Sequence, residues 1–368
     1  MAIHEDRIGP MTFEEILAQC KGAAASDLFV KVGCAPSVRV DGKVRFLQAE
    51  PVTSEFTRLV AETLLSGDQL AQLDSTRELD AAYTHPEFGR FRVNVFYQQG
   101  HIGLVLRRLM SYVRSLEELN LPAESLKKLV AAPRGLFLVS GPTGCGKTTA
   151  LASMIEHLNQ TEHKHIVTLE DPIEYIYQDK KCIIDQREIG RDTSDFYLAL
   201  KHCVRQSPDV ILIGEMRDRE TMEAATAAAE TGHFVLSTLH TINAARTLER
   251  IMNFFPPEQH EFLRHQLSMN LVGILSLRLI RLKAGRGRVP AFELMVNSPT
   301  IKDLLLDGRV NDLTPAMKEG RHFGNMTFNQ CLHYLFQKEV ISLEEALAAS
   351  DHPDDLNLEI RGISKGAF

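Results

Sequence analysis

Residues 135–149 read GLFLVSGPTGCGKTT: an apolar run, a glycine-rich turn, then a lysine and two threonines. The pattern G-x-x-x-x-G-K-[ST] occupies 141–148, with the apolar run before it and a helix-favouring stretch, 150–158, after it. Strand, turn and helix in that order have a direct chemistry. Glycines let backbone N–H groups converge on phosphate oxygens, and the N-terminus of the following helix adds positive potential. Gly141, Pro142, Thr143, Gly144, Cys145, Gly146 and Thr149 then line a phosphate cradle, Lys147 reaches the outer phosphates, and Thr148 ligates Mg²⁺. The expected ligands are ATP and Mg²⁺.

Working outward, short apolar runs recur at 166–169, 210–213 and 234–238, each followed by a helical pattern. That alternation implies an α/β domain with a mainly parallel sheet covered by helices. The run VILIGE, 210–215, ends in a carboxylate, where an open parallel sheet exposes its ligand crevice. Glu215 there either polarises an attacking water or holds the metal through water. TLEDPIE, 168–174, gathers Glu170, Asp171 and Glu174 near another strand end, with Pro172 ending the strand. Such a cluster suits metal and water positioning better than an all-protein metal cage, because Mg²⁺ keeps water and phosphate ligands. GHFVLSTLHT, 232–241, puts His240 at a strand's C-terminal end, where it could sense a γ-phosphate; His233, at the strand's start, carries less signal.

The first 110 or so residues read differently. Alternating stretches at 26–33, 37–46 and 88–97, with a return strand at 102–106, imply an antiparallel sheet; Asp41-Gly42 marks a hairpin turn. Helical patterns cover 13–21 and 53–65. The expected organisation is a smaller α+β domain at 1–112, a polar linker at 113–122, the α/β domain at 123–350 and a mobile acidic tail at 351–368. Arg90, Arg92, Arg107 and Arg108 are either solvated strand-face charges or groups that reach nucleotide on a neighbouring subunit. Arg205 and Arg217, bracketing the Glu215 strand, are similar candidates.

Composition narrows the field. The 368 residues carry 41 Lys+Arg against 48 Asp+Glu, net −7, so no whole-chain field attracts a phosphate backbone and no nucleic acid is expected. The basic run Arg278, Arg281, Lys283, Arg286 and Arg288 lacks interleaved aromatics and reads as a solvated helix end and loop. Six cysteines, none in a C-x-x-C pair, argue against a zinc ribbon or a secreted disulfide framework. Residues 1–10 place His4, Glu5, Asp6 and Arg7 ahead of any apolar stretch, unlike a secretory signal, so a cytoplasmic chain is expected. The most membrane-like stretch, 267–282, is interrupted by polar residues well short of about 18 clean apolar positions. It reads as a buried helix, with no membrane insertion.

With GPTGCGKTT, TLEDPIE, DVILIGEMRD and GHFVLSTLHT in this order, the chain resembles the secretion-superfamily ATPases, most closely the type IV pilus retraction ATPases of the PilT and PilU kind. In that family these segments are the Walker A, Asp-box, Walker B and His-box motifs. The resemblance implies a PAS-like N-terminal domain, a RecA-like P-loop ATPase domain, a homohexameric ring, and ATP hydrolysis coupled to pilus retraction and twitching motility. It implies Glu215 as catalytic carboxylate, Glu174 as metal or water positioner, and His233 and His240 as nucleotide-linked sensors. The implied partners are a PilT-type paralogue and the inner-membrane pilus platform protein, with peripheral docking at the pilus base. Where retraction motors carry an AIRNLIRE-like segment, residues 300–307 read TIKDLLLD, which with the acidic tail favours the PilU-like accessory branch. Two alternatives stand beside it: a type II secretion or conjugation motor, and an ATP-binding, non-hydrolysing scaffold for a paralogous motor. Cys145 stands where the family has Ser; a thiol near a helix N-terminus is expected to be activated, so that alkylation blocks turnover.

Overall fold

The computed structural model describes residues 11–23, 25–40, 42–109, 112–285 and 287–362. The expected N-terminal reading at 1–10, Asp41 of the hairpin turn, Arg286 of the basic run and positions 363–368 of the tail lie outside the described residues. The chain divides into two compact units, Met1–Tyr112 and Val113–Phe368.

The first unit contains α1 (Phe13–Gly22), β1 (Asp27–Val30), β2 (Ser37–Val40), β3 (Lys43–Phe46), α2 (Ser54–Leu64), α3 (Gly67–Thr76), β4 (Glu78–His85), β5 (Gly89–Gln98) and β6 (His101–Arg108). Its six strands form one antiparallel sheet, in the order β3-β2-β1-β6-β5-β4. Alternation does the work: Phe91, Val93 and Val95 of β5 point into the core while Arg92 between them is exposed. Helix α3 was not legible because it is short and polar, burying only Leu73; a Ser66–Gln69 capping box starts it.

The second unit begins with α4 (Ala123–Val130), β7 (Gly135–Ser140), α5 (Lys147–Thr161), β8 (His165–Glu170), β9 (Ile183–Glu188) and α6 (Phe196–Cys203). There follow β10 (Val210–Ile213), α7 (Arg219–Glu230), β11 (Phe234–Leu239), α8 (Ala244–Met252), α9 (His260–Asn270), β12 (Leu271–Arg281) and β13 (Arg288–Val296). The chain then closes on α10 (Pro299–Asp307), α11 (Leu313–Glu319), α12 (Phe328–Gln337), α13 (Leu343–Ala349) and α14 (Pro353–Ile360). Its seven strands lie in the order β13-β12-β7-β11-β10-β8-β9, all parallel except β13.

Strands covered on both faces need no polar side, so β7, β10 and β11 are buried at every position. Successive β7 residues serve opposite cores: Leu136 and Leu138 pack toward α7 and α9, Phe137 and Val139 toward α5 and α12. Strands β8, β9 and β10, which follow β7 in sequence, lie beyond β11 in space. The sheet therefore lines up the C-terminal ends of β7, β11, β10 and β8 along one edge, where ligand crevices form.

Two expectations fail. Residues 267–282 are not a buried helix: α9 ends at Asn270 and the chain passes directly into β12. A strand buried on both faces is a continuous apolar run, which periodicity cannot separate from a buried helix. Gly273 allows the close approach on β12, since a Cβ there would lie 2.6 Å from the Met295 carbonyl oxygen. Within the segment expected as a mobile tail, residues 353–360 form α14, whose Leu356 is fully buried. The basic run is a strand end and turn, and Arg278 within it is enclosed and ion-paired to Asp351 rather than solvated.

Candidate functional site

Helix α5 differs from its neighbours at its first turn. Helices α6, α7 and α8 are capped by the side chains of Asp195, Asp218 and Asn243, whereas α5 is preceded by Gly146, in a left-handed conformation with φ +99°, and has no side-chain cap. No acidic residue occupies its first turn, so the positive end of the helix is not neutralised by its own side chains. Gly141 is equally constrained: at φ +144°, a Cβ there would come within 2.5 Å of Cys145 Sγ and 2.6 Å of the Leu277 oxygen.

This turn opens into a cleft of about 550 Å³ bounded by the four aligned strand ends. Thr143, Gly144, Gly146, Lys147, Thr148 and Thr149 line one side; Glu170, Asp171, Glu174, Glu215, Arg217 and His240 line the other. Lys147 is 8 % exposed, and its ammonium donates to the carbonyls of Gly141 at 2.8 Å and Pro142 at 3.2 Å. Its third contact is His240 Nδ1 at 3.5 Å, and His240 Nε2 lies 3.3 Å from Glu215 Oε2. An ammonium only donates, so Nδ1 accepts and the imidazole proton sits on Nε2, facing Glu215. Glu215 is paired on its other oxygen with Arg217. The chain Lys147, His240, Glu215 follows the spatial order β7, β11, β10.

Burial lowers the pKa of Lys147, while the negative charges around it, those of Glu215 and Glu174 included, pull it back up. A desolvated cation is thus held where an incoming anion would be favoured. Glu170, 6 % exposed, has its carboxyl pushed up by burial, though it accepts from Thr168 at 2.6 Å and Gln186 at 3.1 Å. Its hydrogen-bonded enclosure sets it apart from the exposed Asp171 and Glu174, so the three acids of the TLEDPIE segment divide into one internal brace and two groups open to the cleft. Among the described residues no group of three or more His, Cys, Asp or Glu is arranged to hold a metal by itself. Thr148 and the open carboxylates instead suit a cation that also takes phosphate and water ligands.

Other candidates lie elsewhere. His233 stands at the start of β11, the end opposite His240, with Nδ1 2.9 Å from the Ala228 carbonyl. Arg205 follows α6 ahead of β10, outside the cleft lining. Arg107 belongs to the first unit, where it is bound to the buried Asp27 at 2.9 Å. Cys145 lines no reactive surface: it is 4 % exposed, and burial raises its thiol pKa, which corrects the expectation of an activated thiol. Two contacts were invisible in the sequence: the Tyr175 hydroxyl bonded to Thr149 at 3.1 Å, and the Gln186 brace on Glu170.

Comparison with known proteins agrees with this geometry. The family model described as Type II/IV secretion system protein matches residues 82–345. The type IV pilus ATPase PilU of Pseudomonas aeruginosa is 43% identical over 351 residues, 95% of this chain and 92% of that protein. The retraction ATPase PilT of the same organism is 41% identical over 345 residues, 94% of this chain and all of that protein. A crystal structure of the pilus retraction motor PilT with bound ADP superimposes with a TM-score of 0.88 at 40% identity, covering 94% of this chain and 99% of that one. An uncapped helix behind a glycine-rich turn, a lysine–histidine–carboxylate row and these likenesses place the chain among the nucleotide-binding ATPases of the Type II/IV secretion system protein family.

Proposed function

We propose that this protein is a motor subunit that hydrolyses ATP to power type IV pilus retraction, in the PilU-like accessory role. The observation that carries the reading is the row Lys147, His240, Glu215 laid across three neighbouring strand ends beside the open first turn of α5. Identity to PilU and PilT across nearly the whole chain supports the pilus assignment.

In this reading Lys147 exchanges a carbonyl contact for the outer phosphates, and Glu215 orients water and takes its proton. His240, between them, registers whether the γ-phosphate is present. Thr148 would hold Mg²⁺, with Glu174 and Glu215 reaching it through water; the ion would neutralise phosphate charge. Loss of the γ-phosphate contacts is then read out as movement of the PAS-like unit, 1–112, against the ATPase unit in a homohexameric ring. A role for Arg107 at a neighbouring subunit's nucleotide requires its release from Asp27. The chain is assigned to the cytoplasmic face of the inner membrane, docked on the pilus platform protein beside a PilT-type paralogue. Among the described residues no helix is long and apolar enough to cross a membrane.

Complementation of a deletion strain by the wild-type chain and by Glu215→Ala, scoring surface pili and motility, tests this directly. Restoration by the wild type alone is expected. Full restoration by Glu215→Ala would leave the scaffold reading in its place, and a secretion defect with normal pili would favour the type II branch.

A further inference from the structure

The loop that carries His240 is gripped by the C-terminal part of the chain. After β11 the backbone runs through His240, Thr241, Ile242 and Asn243 into α8, and three successive residues are held from outside. The Ile242 carbonyl accepts from Arg278 Nη2 at 3.2 Å. The Asn243 side-chain amide donates to Asp351 Oδ2 at 3.1 Å, and the Ala244 N–H donates to Glu293 at 2.8 Å. Arg278, projecting from β12, closes the clamp. Its Nη2 lies 2.8 and 2.7 Å from the two Asp351 oxygens, its Nη1 donates to the Ala349 carbonyl, and its guanidinium carbon sits 3.9 Å from the centre of the Phe328 ring.

Asp351 is itself fixed, in the turn between α13 and α14. Ser350 Oγ bonds to Asn329 of α12 at 2.6 Å, and the His352 N–H donates to Ser350 Oγ at 3.0 Å. With side-chain exposures of 15% for Arg278 and 31% for Asp351, this pair is more enclosed than a solvent-washed surface bridge. His240 meets Lys147 and Glu215 at 3.5 and 3.3 Å, near the outer limit of hydrogen bonding. A loop shift of a few tenths of an ångström therefore decides whether the imidazole bridges them.

We propose that Arg278 and Asp351 are positioning residues for His240, and that through them the segment from α13 to α14 sets the rate of ATP hydrolysis. The inference rests on the reading of the cleft as the site of hydrolysis. It gives the acidic C-terminal segment a task inside the motor, as the outer anchor of the histidine loop.

The test is a double-mutant cycle on the purified full-length chain: wild type, Asp351→Ala, His240→Ala and the double variant. Turnover, KM for ATP and affinity for a fluorescent ADP analogue are measured for each. Asp351→Ala is expected to lower kcat about tenfold or more, as misplacement of a catalytic group does, with ADP affinity unchanged. In the His240→Ala background the same substitution is expected to cost nothing further. Should Asp351→Ala fail to fold, Asp351→Asn, which keeps the shape and removes the charge, takes its place in the cycle. Unchanged kcat, or losses that simply multiply, would overturn the clamp while leaving the ATPase reading intact. If His240→Ala turns over like wild type, or wild type does not turn over at all, the reading of the cleft fails and the clamp fails with it.

Discussion

At the scale of single residues, the cleft holds groups whose burial opposes their charge, Lys147 and Glu170 among them. Lys147 is a cation lowered in pKa by burial, and carboxylates hold it in its charged form. Lys147→Ala is therefore expected to lose nucleotide affinity, whereas Glu215→Gln should keep it and lose turnover; titration with a fluorescent ADP analogue alongside phosphate release distinguishes the two. Gly141→Ala would force a side chain into positive φ against Cys145 and the Leu277 carbonyl. Its backbone strain alone is expected to cost about 1–3 kcal/mol, read from the denaturant midpoint. Cys145, enclosed and protonated, should resist maleimide in the native chain while the partly exposed Cys34 reacts, and turnover should be unaffected. Rapid labelling of Cys145 with loss of activity would return the activated-thiol reading.

At the scale of elements, the decisive contacts join segments far apart in sequence. Glu293 of β13 braces the first turn of α8, and burial pushes its carboxyl up to about 7. Asp351 adds to the rise and Arg278 opposes it. A carboxyl whose folded pKa is raised stabilises the fold most when protonated. That contribution is complete below the ordinary value of 4.5 and is lost as pH climbs through about 7, a swing of roughly 3 kcal/mol. Glu293→Gln keeps the shape and cannot ionise, so its melting temperature should fall less between pH 5 and 8 than that of the wild type; parallel curves would contradict this. Helix α14, though acidic at its start, buries Leu356 completely. Leu356→Ala is expected to cost about 2–5 kcal/mol, as in any packed core, and a loss near zero in chemical denaturation would mean the helix does not belong to the fold.

At the scale of the whole molecule, the hydrophobic clusters respect the division of the chain: one is drawn wholly from residues before 113, the other two wholly from residues after it. A fragment starting at Val113 should accordingly fold cooperatively and retain nucleotide binding, and aggregation or loss of binding would show that the first unit is needed to complete it. Much of this design was written locally. The glycine-rich turn at 141–149, the carboxylate after 210–213 and His240 after 234–238 are readable because each strand and the polar residue at its tip are contiguous in sequence. Phosphate binding at a helix start requires only short-range geometry, so its signature survives in the linear chain. What the sequence left open depends on partners brought from a distance. The sheet order put β11 between β7 and β10 and so joined Lys147 to Glu215 through His240; it also left His233 at the wrong end of its strand. Burial on both faces erased the periodicity that would have marked β12, and only packing against Phe328, with Asp351 alongside, turned Arg278 from an apparent surface charge into an internal clamp. Local chemistry determined which residues could act; long-range packing and desolvation decided which of them meet.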